Sequence, residues 1–196
     1  MNKKWITIIV IVVVLFMIYS FFTGKYNGMV TKEEAVTTEW SNVETQYQRR
    51  NDLIPNLVST VKGFAQQEQD VFIGVTEARS KASSINLDAS NLTAANMQQF
   101  QAAQGALSSS LSRLLVTVEK YPELKSNQNF LELQAQLEGT ENRIAVARKR
   151  YNETAQSYNT YIRVFPNSVI SGMSGFERKA LFEADQGAEN APVVEF

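Results

Sequence analysis

Residues 5–22 (WITIIVIVVVLFMIYSFF) run for eighteen positions without a charge, a glycine or a proline. At ~1.5 Å per residue such a run makes a helix of ~27 Å, close to the ~30 Å of a hydrocarbon core. Thirteen of its residues are Ile, Val, Leu or Phe, each favouring insertion by roughly 0.3–0.6 kcal/mol near a helix centre. The chain is therefore expected to cross a membrane once, with Trp5, Ile9, Val13, Phe16 and Phe22 among the spanning residues. The run exceeds the apolar core of about 7–15 residues of a secretory signal, and Phe21-Phe22-Thr23-Gly24 does not supply small residues for cleavage, so an anchor retained over residues 1–28 is expected. Lys3 and Lys4 precede it; Lys25 and Lys32 follow, beside Glu33 and Glu34. By a narrow charge difference the positive-inside rule favours a cytoplasmic N-terminus, with the rest of the chain outside.

Beyond the anchor about 170 residues remain, enough for a single core. The chain after Lys25 carries 16 basic and 20 acidic residues, which argues against nucleic acid as a partner, because duplex binding rests on a basic surface. There is no cysteine and no histidine. Disulfides and thiolate chemistry are thereby excluded, and the commonest general base and transition-metal ligand are missing. No cofactor and no enzymatic activity are expected.

Three long segments share one periodicity. From Val36, steps of four and three reach Trp40, Val43, Tyr47, Arg50, Ile54, Leu57, Val61, Phe64, Glu68, Val71, Val75, Ala78 and Ala82. A second stripe runs Met97, Phe100, Gln104, Leu107, Leu111, Leu114, Val118, Tyr121. A third runs from Phe130, Leu133, Leu137, Thr140 and Ile144 to Phe165. Seams of this 3.5-residue average belong to coiled coils and antiparallel bundles. Punctuation predicts helices near 53–83, 93–120 and 127–165, with a break at Asn51-Asp52 where Asp52 caps and Pro55 falls in a first turn; a kinked continuous helix is the competing reading. Short loops make neighbours antiparallel, with facing residue numbers that sum to about 176 in the first pair and about 248 in the second. On that reckoning nothing covers Val36, Trp40, Val43 and Tyr47. Residues 29–50 either fold back as a fourth bundle helix or stand as a stalk whose seam other copies cover. After Pro166 come a glycine-punctuated stretch, an amphipathic segment over 176–184 and a tail over 186–196, read as extended.

The block RRNDLIPNLV at 49–58, with Trp40, Val61-Lys62-Gly63-Phe64 and Glu68, closely resembles the LemA family of bacterial membrane proteins. Tyr121-Pro122-Glu123-Leu124-Lys125, Ala147-Arg148, Tyr151-Asn152, Phe165-Pro166 and Leu181-Phe182-Glu183 extend the likeness over about residues 26–196. Gln67 stands where the family often has histidine. The resemblance implies an all-α fold: an N-terminal transmembrane helix, then an up-and-down bundle of three to four long helices, here residues 29–185, in the bacterial inner membrane. It implies no activity.

Arg50 and Glu68 interrupt the first seam and cannot reach each other along ~27 Å of helix. The facing reckoning places Glu68 beside Ser108 and Thr140, in reach of Arg143 or Arg113, and Arg50 near Glu123. Together with Glu141 and Arg148, these residues are read as polar layers that fix register, or as a partner-binding cleft. Glu68, Glu138 and Glu141 are weighed as an all-carboxylate metal site and set aside. The expected function is a non-enzymatic, membrane-anchored scaffold at the cell envelope, forming homo-oligomers and touching lipid and other envelope proteins. An adaptor for a membrane protease or sensor is the alternative.

Overall fold

The computed structural model describes residues 3–183. The tail expected over 186–196 lies outside the described residues. Six α-helices follow in order: α1 (Lys3–Phe64), α2 (Gln69–Ser84), α3 (Ala94–Val118), α4 (Pro122–Lys125), α5 (Gln128–Arg163) and α6 (Asn167–Ser174), with no strand among the described residues. The all-α bundle with a long apolar N-terminal helix is what the seams and the resemblance led us to expect.

The break expected at Asn51-Asp52 does not occur; α1 runs unbroken for 62 residues, or ~93 Å. Pro55 has no N–H for the carbonyl four residues back, which would orphan Asn51. That oxygen instead accepts from Arg79 Nε on α2 at 2.9 Å. One side chain thus repairs the helix where proline interrupts it. The chain turns at residues 65–68, between Lys62 in the last turn of α1 and Asp70 in the first turn of α2, each of the sign its helix end favours.

Moving the turn re-levels the bundle. α5 runs antiparallel to α1, pairing Arg50 with Glu141, Trp40 with Tyr151 and Lys32 with Ser157. α3 runs parallel to α1, with Tyr47 against Phe100 and Arg50 against Gln104 and Ser108. Residues 29–50 are therefore neither a bare stalk nor a helix folded back at Asn51. The C-terminal half of α5, the 85–92 connection and the segment 176–183 cover their seam. Helix α5 simply reaches further down α1 than a turn at Asn51 would let it.

Two apolar clusters result. The first gathers Met29, Val36, Trp40, Val43 and Tyr47 with Phe100, Tyr151, Tyr158, Ile162 and Phe182. The second gathers Ile54, Leu57 and Val61 with Val75, Leu107, Leu111, Leu114, Phe130 and Leu137. Thr93 caps α3 by accepting from Asn96 N, and Asn127 caps α5 by accepting from Phe130 N.

The substitution Pro55→Ala restores the missing donor and is expected to stabilise the chain by up to ~3 kcal/mol. Arg79→Met should cost ~1 kcal/mol in the parent chain and almost nothing once Pro55→Ala is in place. Thermal unfolding of the parent, the two single variants and the double variant in detergent, followed by circular dichroism, checks this; an equal cost in both backgrounds would contradict the repair.

Candidate functional site

Between the two apolar clusters lies one polar layer. The seam residue that falls there is Arg50 on α1, Gln104 on α3, and Thr140 with its neighbour Glu141 on α5. The Arg50 side chain is 2% exposed. Its Nη1 donates to Ser108 Oγ and to Glu141 Oε1, both at 3.0 Å, and Nη2 donates to Gln104 Oε1. The guanidinium also lies 5.1 Å from the Tyr47 ring centroid, a cation–π distance. Nε finds no partner. Glu141 is 43% exposed on its side chain, so the ion pair is buried at one end and wet at the other. An open cleft of about 660 Å³ lies beside the layer between α3 and α5, lined by Arg50, Gln101, Gln104, Ser108, Glu141 and Arg148 among others.

This corrects the expected placements. Arg50 meets Ser108 rather than Glu123, because residue 50 is not the start of a new helix. Glu68 lies in the turn before α2, with Lys120 Nζ at 3.5 Å and the Tyr121 hydroxyl donating to it at 3.4 Å. It is remote from Ser108, Thr140 and Arg143. The expected register of α3 against α5 does hold, with Ser108 opposite Glu141. Arg143 is exposed and lines a shallow groove with Glu39, Asn42, Gln46 and Arg150. Arg148 donates to the Glu183 carbonyl at 3.1 Å and stacks 4.9 Å from the Phe182 ring. Val36, Trp40 and Val43 are each 1% exposed, so the seam is closed within one chain. Trp5, Ile9, Val13, Phe16 and Phe22 are all exposed on the one helix among the described residues that is long and apolar enough to cross a membrane, and the bundle buries none of that apolar stretch.

A second constellation escaped the sequence reading. Residues 176–183 are extended, not helical, and lie along α5. Asn159 donates to the Lys179 carbonyl at 2.8 Å and accepts from Lys179 N at 2.9 Å. One heptad earlier, Asn152 does the same for Phe182, at 3.0 and 2.9 Å. The Tyr151 hydroxyl donates to the Ala180 carbonyl at 2.7 Å. Lys179 Nζ reaches Glu33 at 2.7 Å, and the Phe182 ring packs 6.0 Å from Trp40 and 5.5 Å from Tyr151. Burial pushes the Tyr151 and Tyr158 hydroxyls well above the usual phenol range, with Glu33 and Glu177 adding to the effect on Tyr158, so both stay protonated. The sequence shows Asn152 and Asn159 one heptad apart; that they bind main chain was not legible in it.

The match to the LemA family covers residues 39–196, most of the chain, the whole polar layer and all of the second constellation except Glu33. The chain belongs to the LemA family. Among similar proteins, magnetosome proteins MamQ 1 and MamQ 2 of Paramagnetospirillum magneticum are each 27% identical over 87% of this chain and 68% of their own length. Protein LemA of Metamycoplasma hominis is 21% identical over 94% of the chain and 80% of its own length. None of these names is that of an enzyme.

Two outcomes test the site. Glu141→Ala strands a buried guanidinium and should cost ~3–5 kcal/mol. Arg50→Met leaves a carboxylate that can turn to water and a single buried amide oxygen, and should cost only ~1–3 kcal/mol. Detergent-phase thermal unfolding ranks them, and a larger loss for Arg50→Met would refute the layer as described. Separately, Asn159→Ala should free the C-terminal segment and speed tryptic cleavage after the buried Lys179 several-fold while helix content holds; unchanged cleavage would show that the asparagine does not hold it.

Proposed function

We propose that this member of the LemA family is a non-enzymatic scaffold of the bacterial inner membrane, anchored by residues 1–28 and presenting the bundle of residues 29–185 on the non-cytoplasmic side. It works by self-association and by binding envelope partners, and its assemblies organise or curve the membrane. One observation carries the reading: α1 passes from an exposed apolar window into the buried seam of the bundle without a linker. A bundle joined this way cannot reorient independently of its span, so packing between bundles translates into a set geometry of helices in the bilayer. The chain also lacks histidine and cysteine, and relatives are named magnetosome proteins.

Because the seam at Val36, Trp40, Val43 and Tyr47 is already covered, self-association has to use other surfaces. The adaptor reading, for a membrane protease or sensor, draws instead on the cleft beside Arg50 and Arg148, where long polar side chains suit an incoming peptide. Cross-linking and imaging of the full-length protein extracted with its lipids tests the scaffold: homo-oligomers are expected. A strict monomer at every detergent level, or co-purification with one stoichiometric partner, would overturn self-association, the second outcome in favour of the adaptor.

A further inference from the structure

The stretch 164–176 (VFPNSVISGMSGF) holds thirteen residues without a charge, and it includes the corner between α5 and α6. Helix α6 buries Asn167, Ile170 and Ser171 against the end of α5; Asn167 donates to the Tyr161 carbonyl and Ser171 to the Ile162 carbonyl, both at 2.9 Å. Its outward face should then be polar. It carries Val169 and Met173 one turn apart, 52% and 81% exposed, and the preceding Phe165 is 84% exposed. Neither solvent nor the bundle explains this face.

Its height does. The Tyr161 hydroxyl approaches Gly28 so closely that a Cβ there would lie 2.5 Å from it. The Phe176 ring meets Tyr26 with centroids 5.5 Å apart. Along α1, cover begins at Thr23 and Lys25, the first partly buried positions, directly after Phe22. Four residues of helix from Phe22 to Tyr26 rise ~6 Å, about the depth of one headgroup layer outside the hydrocarbon. Arg163 on one side and Glu177 with Arg178 on the other, all exposed, flank the uncharged stretch, so that two guanidinium groups stand where anionic headgroups would sit.

We propose that the α5–α6 corner is a second, shallow membrane contact, in which Phe165, Val169 and Met173 enter the interface of the bilayer that α1 crosses. The inference rests on the spanning role of residues 5–22. An amphipathic helix of this kind lies in the interface plane with its apolar face at the acyl boundary. With α1 as a post and the corner as a foot, the bundle has two points of support on the bilayer, which fixes its tilt.

The chain has no cysteine, so single reporters can be placed in the full-length protein. Phe165→Cys, Met173→Cys, Phe16→Cys and Ile73→Cys would each be labelled with an environment-sensitive fluorophore and reconstituted in vesicles of phosphatidylcholine and phosphatidylglycerol. Labels at 165 and 173 are expected to shift to the blue, to lose most of their emission to lipids nitroxide-labelled near the headgroup, and to resist iodide. The label at 16 should be quenched by deep nitroxides and that at 73 by iodide. If 165 and 173 behave like 73 while 16 remains deep, the corner does not touch the bilayer and the span stands. Iodide reaching 16 would overturn the span and the corner with it. Shielding of 165 and 173 from both quenchers, relieved by diluting the protein in lipid, would assign the patch to a second copy and overturn the lipid contact.

Discussion

The guanidinium of Arg50, buried in the seam of α1 and bonded to α3 and α5 at once, is the interaction from which we propose the bundle takes its register. A heptad seam is repetitive, so an apolar α1 could slide by one heptad against α5 at modest cost. An arginine in that seam cannot. It must find Glu141, Gln104 and Ser108 together, and any slip leaves a desolvated charge without its partners. Removing such a partner costs several kcal/mol, whereas the pair itself contributes little net stability over apolar packing. The layer thus specifies alignment more than it strengthens the fold. Apolar clusters lie on either side of it, each assembled correctly only when the layer closes.

Much of the architecture was legible because periodicity survives folding. The three seams, the apolar N-terminal run, the approximate bounds of α3 and α5 and their mutual register all follow from local spacing. The turn was misplaced because two local signals competed. Asn51-Asp52 with Pro55 reads as a helix start, and only a tertiary contact, from Arg79, makes a continuous helix tolerable there. The true turn was marked more faintly, by Lys62-Gly63 before it and Glu68 and Asp70 after it. One error of about fourteen residues in the turn then displaced both Arg50 and Glu68 from their partners. A stricter reading of the seams could have recovered the layer, since Gln104 and Thr140 are polar residues in stripes that are otherwise mostly apolar, and they fall opposite Arg50 once α1 is kept whole.

The C-terminal segment was harder to foresee, and geometry explains how two asparagines come to hold its main chain at two points. Asn152 and Asn159 stand seven residues apart on α5, a rise of ~10.5 Å. Lys179 and Phe182 are three residues apart in extended chain, a span of ~10 Å. One heptad of helix is thus commensurate with three residues of extended backbone, and a pair of asparagines on one helical face can each engage both the N–H and the C=O of a single residue. Because these bonds address main chain, the segment's sequence is constrained mainly where side chains enter the bundle: Lys179 at Glu33 and Phe182 among Trp40, Phe100 and Tyr151. No pattern in residues 176–183 alone announces this, since the periodicity that matters lies on the helix that receives them.

The segment also decides how the anchor meets the bundle. From Phe176 against Tyr26 to Phe182 against Trp40, it splints fifteen residues of α1 that follow the apolar run, where α2 and most of α3 do not reach. Without that cover Val36 and Trp40 would be bare on one side of α1, and the helix would gain by collapsing or pairing with another chain. With it, the seam is satisfied locally and α1 continues as one helix into its exposed apolar run. Residues at the far C-terminal end of the bundle thus stiffen the residues that follow the span, and for a protein whose proposed work is to set geometry at a bilayer, that junction is where stiffness matters most.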